Sequence, residues 1–120
     1  MIPFDLNDTL ALLERTPDVL DNLLEGLAPA WLMNNEGGDS WSPHDVLCHL
    51  IECEAVNWIP RIDIILSDKE DKRFVPFDRF RNLDVMKEQP VAALLEEFKK
   101  RRTGNIAWLR SRKIGPGYNT

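Results

Sequence analysis

Apolar positions recur at helical spacing along three stretches of the chain and never alternate with polar ones for long. In the first stretch Leu6, Leu10, Leu13, Pro17, Leu20, Leu24 and Leu27 stand three or four residues apart, with Val19 and Leu23 widening the stripe, which predicts an amphipathic helix. Pro17 has no N–H to offer the Leu13 carbonyl, so a kink or split is expected there, with Thr16 capping the second half. Gly26 and the Ala28-Pro29 step end the stretch. Residues 28–40 read as a loop, because Asn34-Asn35 and Gly37-Gly38-Asp39 are strong breakers. Trp31 and Leu32 are expected to anchor that loop to the core.

The second stretch opens with nearly complete capping chemistry. Ser42 is placed to cap, and Pro43 falls at the first helical position, where its missing N–H costs nothing. Asp45 closes a capping box and complements the helix dipole, while Trp41 and Val46 stand at the positions of a hydrophobic staple. Beyond them Val46, Leu47, Leu50, Ile51, Ala55, Val56, Trp58, Ile59, Ile62, Ile64, Ile65 and Leu66 cover almost every face. A helix apolar on all sides belongs at the centre of a bundle, and Pro60 is expected to bend it. Residues 67–89 then read as a charged connection and a long link, with Phe74, Val75, Pro76, Phe77 and Phe80 as packing points. The third stretch starts near Pro90 and runs through Val91, Leu94, Leu95, Phe98, Ile106 and Leu109. Gly104 weakens its middle by roughly 1 kcal/mol relative to alanine, and Gly115-Pro116-Gly117 stops it. No period-2 pattern calls for strands, so the chain reads as all-α, with about three major helices in one domain spanning residues 1–120.

Composition adds limits. The 120 residues carry a net charge of −5 and are 43% hydrophobic, which suits one globular domain. No apolar run approaches the ~20 residues of a membrane span. The Met1-Ile2-Pro3-Phe4-Asp5 start lacks a signal-peptide pattern, so a cytoplasmic location is expected. Cys48 and Cys53 project roughly 140° apart around one helix, a poor geometry for a mutual disulfide. Charge is segregated: residues 1–56 hold eleven acids against Arg15 alone, whereas seven bases and no acid follow from Lys99 onward. A basic arm for nucleic acid is one reading. An acidic and a basic helix lying side by side is preferred, since no aromatic residues are interleaved with the bases as a stacking platform. Neither a nucleic-acid nor a membrane partner is expected.

Two histidines occur. His44 falls in the first turn of the second helix, where it reads as an exposed helix-start residue. His49 points inward from that helix, either as a hydrogen-bonded core residue or as a metal ligand. Cys53 lies four residues further on the same face, and the two could share a metal, with Glu52 or Glu54 as helpers. No phosphate loop, dinucleotide fingerprint or serine–histidine–acid arrangement appears.

Several segments together resemble the DinB-like family of four-helix-bundle metalloenzymes. They are Leu13-Glu14-Arg15-Thr16-Pro17 and Leu23-Leu24-Glu25-Gly26-Leu27 in the first helix, and Trp41-Ser42-Pro43-His44-Asp45-Val46-Leu47-Cys48-His49-Leu50-Ile51-Glu52-Cys53-Glu54 with Trp58-Ile59-Pro60-Arg61 in the second. Leu94-Leu95-Glu96-Glu97-Phe98-Lys99-Lys100-Arg101-Arg102 is similar to the family's third helix. The sharpest element is the Trp-Ser start with a histidine seven residues past the serine. The resemblance implies an antiparallel four-helix bundle and a divalent metal of the Zn, Ni or Fe type held by three histidines. It places the first ligand at His49, puts a recurrent arginine at Arg61 and implies thiol-dependent transferase or hydrolase chemistry on a small molecule. The family's other two histidines lie four residues apart on a last helix that this sequence does not contain. The expectation is therefore a C-terminally incomplete domain with an incomplete metal site. The alternative is a non-catalytic bundle that forms a homodimer through the apolar face a fourth helix would cover.

Overall fold

The structure is a computed structural model that describes residues 5–68, 70, 86 and 88–112. Every regular element among them is helical: α1 (Leu6–Leu24), α2 (Pro29–Met33), α3 (Pro43–Val56), α4 (Trp58–Leu66) and α5 (Val91–Ser111). No described helix is long and apolar enough to cross a membrane. The packing points expected between Phe74 and Phe80, and the Gly115-Pro116-Gly117 stop, lie outside the described residues.

Pro17 does not split α1. The helix runs unbroken from Leu6 to Leu24, and Thr16 returns its hydroxyl to the Leu12 carbonyl instead of capping a second half. The Leu13 carbonyl, which a proline four residues on cannot satisfy, accepts a 2.9 Å bond from Nη1 of Arg102 on α5. A guanidinium 89 residues away takes the place of the missing N–H.

Pro60 is expected to bend the helix; instead the helix is interrupted three residues earlier, at Asn57. Asn57 ends α3 and begins α4, so Pro60 stands in the first turn of α4, where its N–H is dispensable. The start of α3 is as its sequence requires: the Asp45 amide donates to the Ser42 hydroxyl, and the Ser42 amide donates to the Asp45 carboxylate, each at 3.1 Å. Val46 stays 41% exposed and Trp41 is half-buried against the core. Within the expected loop, Pro29 opens the short helix α2. Leu32 packs on the core from there, but Trp31 is 73% exposed and lies outside the described core clusters.

Three helices build the core. Leu24, Leu47, Cys48, Ile51, Leu94, Leu95 and Phe98 form one buried cluster, and Leu10, Ile106 and Leu109 a second. The links between helices fix their directions. His44 meets Gln89, Glu54 meets Arg102 and Asp63 meets Arg112, so α3–α4 and α5 run parallel. Asp18 meets Lys99 and Glu14 meets Arg110, so α1 is antiparallel to both. A parallel pair requires a long return connection, which residues 67–90 provide. The same contacts show the acidic α1 lying along the basic α5.

Between the two clusters lies a polar layer. Arg102 Nε donates to Glu54 Oε1 at 2.5 Å, and Asn105 Nδ2 donates to the Glu54 carboxylate at 2.8 Å and to its backbone carbonyl at 2.7 Å. The Arg102 guanidinium also sits 5.0 Å from the Phe98 ring centroid. With the Leu13 carbonyl, this ties α1, α3 and α5 at one level. The sequence signals were an acid in register with Leu47 and Ile51, and an arginine in register with Phe98 and Ile106.

Candidate metal centre

The chain carries two histidine–cysteine pairs at i,i+4 spacing on α3, His44–Cys48 and His49–Cys53, and the fold treats them differently. His44 is not the exposed first-turn residue its position suggested; it is 2% exposed. Its Nε2 lies 2.7 Å from the Gln89 carbonyl, which can only accept, so Nε2 carries the proton. Nδ1 is then an acceptor, with the Cys48 thiol 3.7 Å away. Nε2 ties the segment that leads into α5 to α3, and Nδ1 is engaged with a thiol of its own helix. His44 is buried because residue 89 crosses over it, a contact no local pattern announces.

His49, one turn on, is half-buried. The Trp41 ring packs against its imidazole with centroids 4.9 Å apart and planes tilted by 46°. Its Nε2 lies 3.5 Å from Cys53 Sγ. Asn57, four residues further, directs its amide Nδ2 to the same sulfur at 3.8 Å. Burial pushes the Cys53 thiol above its ordinary pKa, and the carboxylates of Glu54 and Glu52 add to that. The Asn57 hydrogen bond and the positive charge of Arg61 act in the opposite direction. His49, Cys53, Asn57 and Arg61 thus form one polar stripe at i, i+4, i+8 and i+12 along α3 and α4.

The donor set fits part of a metal site. Two ligands at ~2.0–2.1 Å (His N) and ~2.3 Å (Cys S) from a tetrahedral zinc stand roughly 3.6 Å apart, close to the 3.5 Å between His49 and Cys53. Glu54 is not a helper, since it faces α5 and is held by Arg102 and Asn105. Glu52 is buried. Among the described residues no group of three or more His, Cys, Asp or Glu side chains converges to hold a metal. Neither cysteine is joined in a disulfide among the described residues.

The sequence profile of the DinB superfamily matches residues 12–115. The chain belongs to the DinB superfamily. Among solved structures, this DinB-superfamily chain is similar to YfiT from Bacillus subtilis, described as a probable metal-dependent hydrolase with an unusual four-helix bundle topology. The TM-score is 0.72 at 16% identity, over 95% of this chain and 70% of that one. At that identity the likeness speaks for the fold, a DinB-type four-helix bundle. No curated protein matches the sequence.

Proposed function

We propose that this DinB-superfamily chain is a divalent-metal-dependent enzyme of the hydrolase or thiol-dependent transferase type. In this reading His49 is the histidine ligand supplied by this chain, and the remaining histidine ligands come from outside its 120 residues. The observation that carries the reading is the divergent fate of the two imidazoles. His44 has both nitrogens tied up in the core, whereas His49 faces a polar stripe and brings Nε2 beside a thiol. The superfamily membership and the description of YfiT support the metal-dependent class.

A divalent cation at such a site supplies Lewis acidity, or lowers the pKa of a bound water to about 7. The chain's own residues hold and shield. Trp41 covers one face of the His49 ring and limits its rotation. Arg61 sets a positive charge on the same stripe, suited to an anionic group of a small substrate.

Equilibrium dialysis against Zn2+ tests the reading, using this chain and a version extended by the sequence downstream in its gene. Tighter binding by the longer chain, and its loss in His49→Ala, are expected. Failure of both versions to bind metal would sink the proposal.

One observation favours a second reading, a non-catalytic bundle that self-associates. Leu23, Trp31 and Val46, at 62%, 73% and 41% exposure, line a largely apolar groove of about 770 Å³ between α1, α2 and α3. An apolar patch of that kind marks an interface more often than bare surface. Sedimentation velocity separates the two readings: a metal-free dimer dispersed by Trp31→Ala supports self-association, and a stable monomer rejects it.

A further inference from the structure

The structure points to Cys53 as a second metal ligand beside His49: we propose that this chain presents a mixed imidazole–thiolate donor pair to a soft or borderline divalent cation such as Zn2+ or Co2+. The inference rests on the metal-dependent reading above and goes beyond it, since an all-histidine site has no use for this sulfur.

Three observations converge on the pair. First, the His49 Nε2–Cys53 Sγ distance of 3.5 Å matches two neighbouring corners of a zinc tetrahedron, roughly 3.6 Å apart. A cation entering between the side chains needs little rearrangement of the helix. Second, the sulfur has an outer support of the kind that metal ligands use. Asn57 Nδ2 donates toward Sγ at 3.8 Å. Partners of this sort orient a ligand and stabilise its charged form. Third, α3 contains its own control. His44 and Cys48 have the same spacing, yet they are 2% and 0% exposed and His44 Nε2 is bound to Gln89. Only the second pair is reachable from solvent.

The pair would supply two ligands to such a cation, and the others would come from outside these 120 residues or from solvent. The soft sulfur selects by chemistry: thiolate favours Zn2+ or Co2+ over Mg2+ or Mn2+. On binding, the cation forms one bond to the imidazole nitrogen and one to sulfur, and the thiol proton passes to solvent.

Co2+ titration of the whole chain tests this by absorption, because a cobalt–thiolate bond gives a charge-transfer band that cobalt–imidazole and cobalt–water bonds lack. The wild type is expected to show the band. Cys53→Ser, which replaces the sulfur by oxygen on the same side-chain skeleton, is expected to lose it and to bind Co2+ at least about tenfold more weakly. Cys48→Ala is expected to retain the band. In parallel, Zn2+ should slow iodoacetamide alkylation of Cys53 in the wild type and give no such protection in His49→Gln. Co2+ binding without the band, with equal affinity in Cys53→Ser, would overturn the thiolate assignment and leave His49 standing as a ligand. Absence of any Co2+ or Zn2+ binding by the wild type would overturn the donor pair, while the His49 reading falls only if the extended chain also fails to bind. Circular dichroism of each variant confirms that a lost band reflects a lost ligand and not unfolding.

Discussion

Replacing Arg102 by methionine probes the polar layer at its centre. The substitution keeps an apolar stem of similar length but removes every guanidinium bond and the guanidinium contact with the Phe98 ring. Among the described residues, Glu54, whose side chain is 2% exposed, then keeps only Asn105 as a donor, and the Leu13 carbonyl opposite Pro17 loses the 2.9 Å bond that replaced its helical one. Stranding one member of a buried ion pair costs about 3–5 kcal/mol, and leaving the part-buried Leu13 carbonyl unsatisfied about 1 kcal/mol or more. Because relaxation is shared between them, a total near 4 kcal/mol is expected. That is a large part of the ~5–15 kcal/mol that holds a domain folded. Urea unfolding followed by circular dichroism measures the loss as a lower midpoint at unchanged slope. A double-mutant cycle isolates the proline's share. In Pro17→Ala the new backbone N–H reaches the Leu13 carbonyl, so Arg102→Met should cost about 1–2 kcal/mol less there than in the wild type. A cost below about 1 kcal/mol for Arg102→Met, or additivity within about 0.5 kcal/mol in the cycle, would refute this account of how α1 passes Pro17 unbroken.

Three smaller effects follow. Ser42→Ala removes the α3 cap and should cost about 1 kcal/mol in the same unfolding assay. His44→Ala should cost about 2–3 kcal/mol through the lost Gln89 bond and the void left behind, with faster amide exchange at the start of α5 and unchanged metal binding. The hydrogen bond from Arg101 holds the Glu97 carboxyl below its ordinary value of 4.5, so its contribution is present above that pH and fades as pH falls through the folded-state value. Both side chains are more than a third exposed, so the effect is below about 0.5 kcal/mol. Glu97→Gln should flatten the acid limb of the stability profile by no more than that.

The sequence was most legible where chemistry is local. The Ser42–Asp45 box, the Pro43 start and the α5 start at Pro90 follow from side chains reaching three or four residues, and the apolar stripes of α1 and α5 give the packing. Long-range compensation was not legible. Pro17 predicts a kink or a split by local rules, and the bond from Arg102 to the Leu13 carbonyl is a compensation that no local pattern announces. At Pro60 the local rule holds, but the chain obeys it by breaking at Asn57, which leaves the proline in a tolerant first turn. His44 has the position of a surface residue and the environment of a core one, because Gln89 covers it. Trp31 shows the converse, an aromatic residue placed outward. At the candidate site, spacing alone joined His49 to Cys53. The role of Glu54 was hidden, because sequence does not say which acid on an apolar helix an arginine will claim.

The central claim is that His49, and not His44, is the histidine through which this chain holds a metal. Metal content after equilibrium dialysis with Zn2+ tests it most directly, in wild type, His49→Ala and His44→Ala at matched fold content. Bound zinc in the wild type and in His44→Ala, with loss in His49→Ala, is the predicted result. Zinc retained by His49→Ala at the wild-type level would contradict the account.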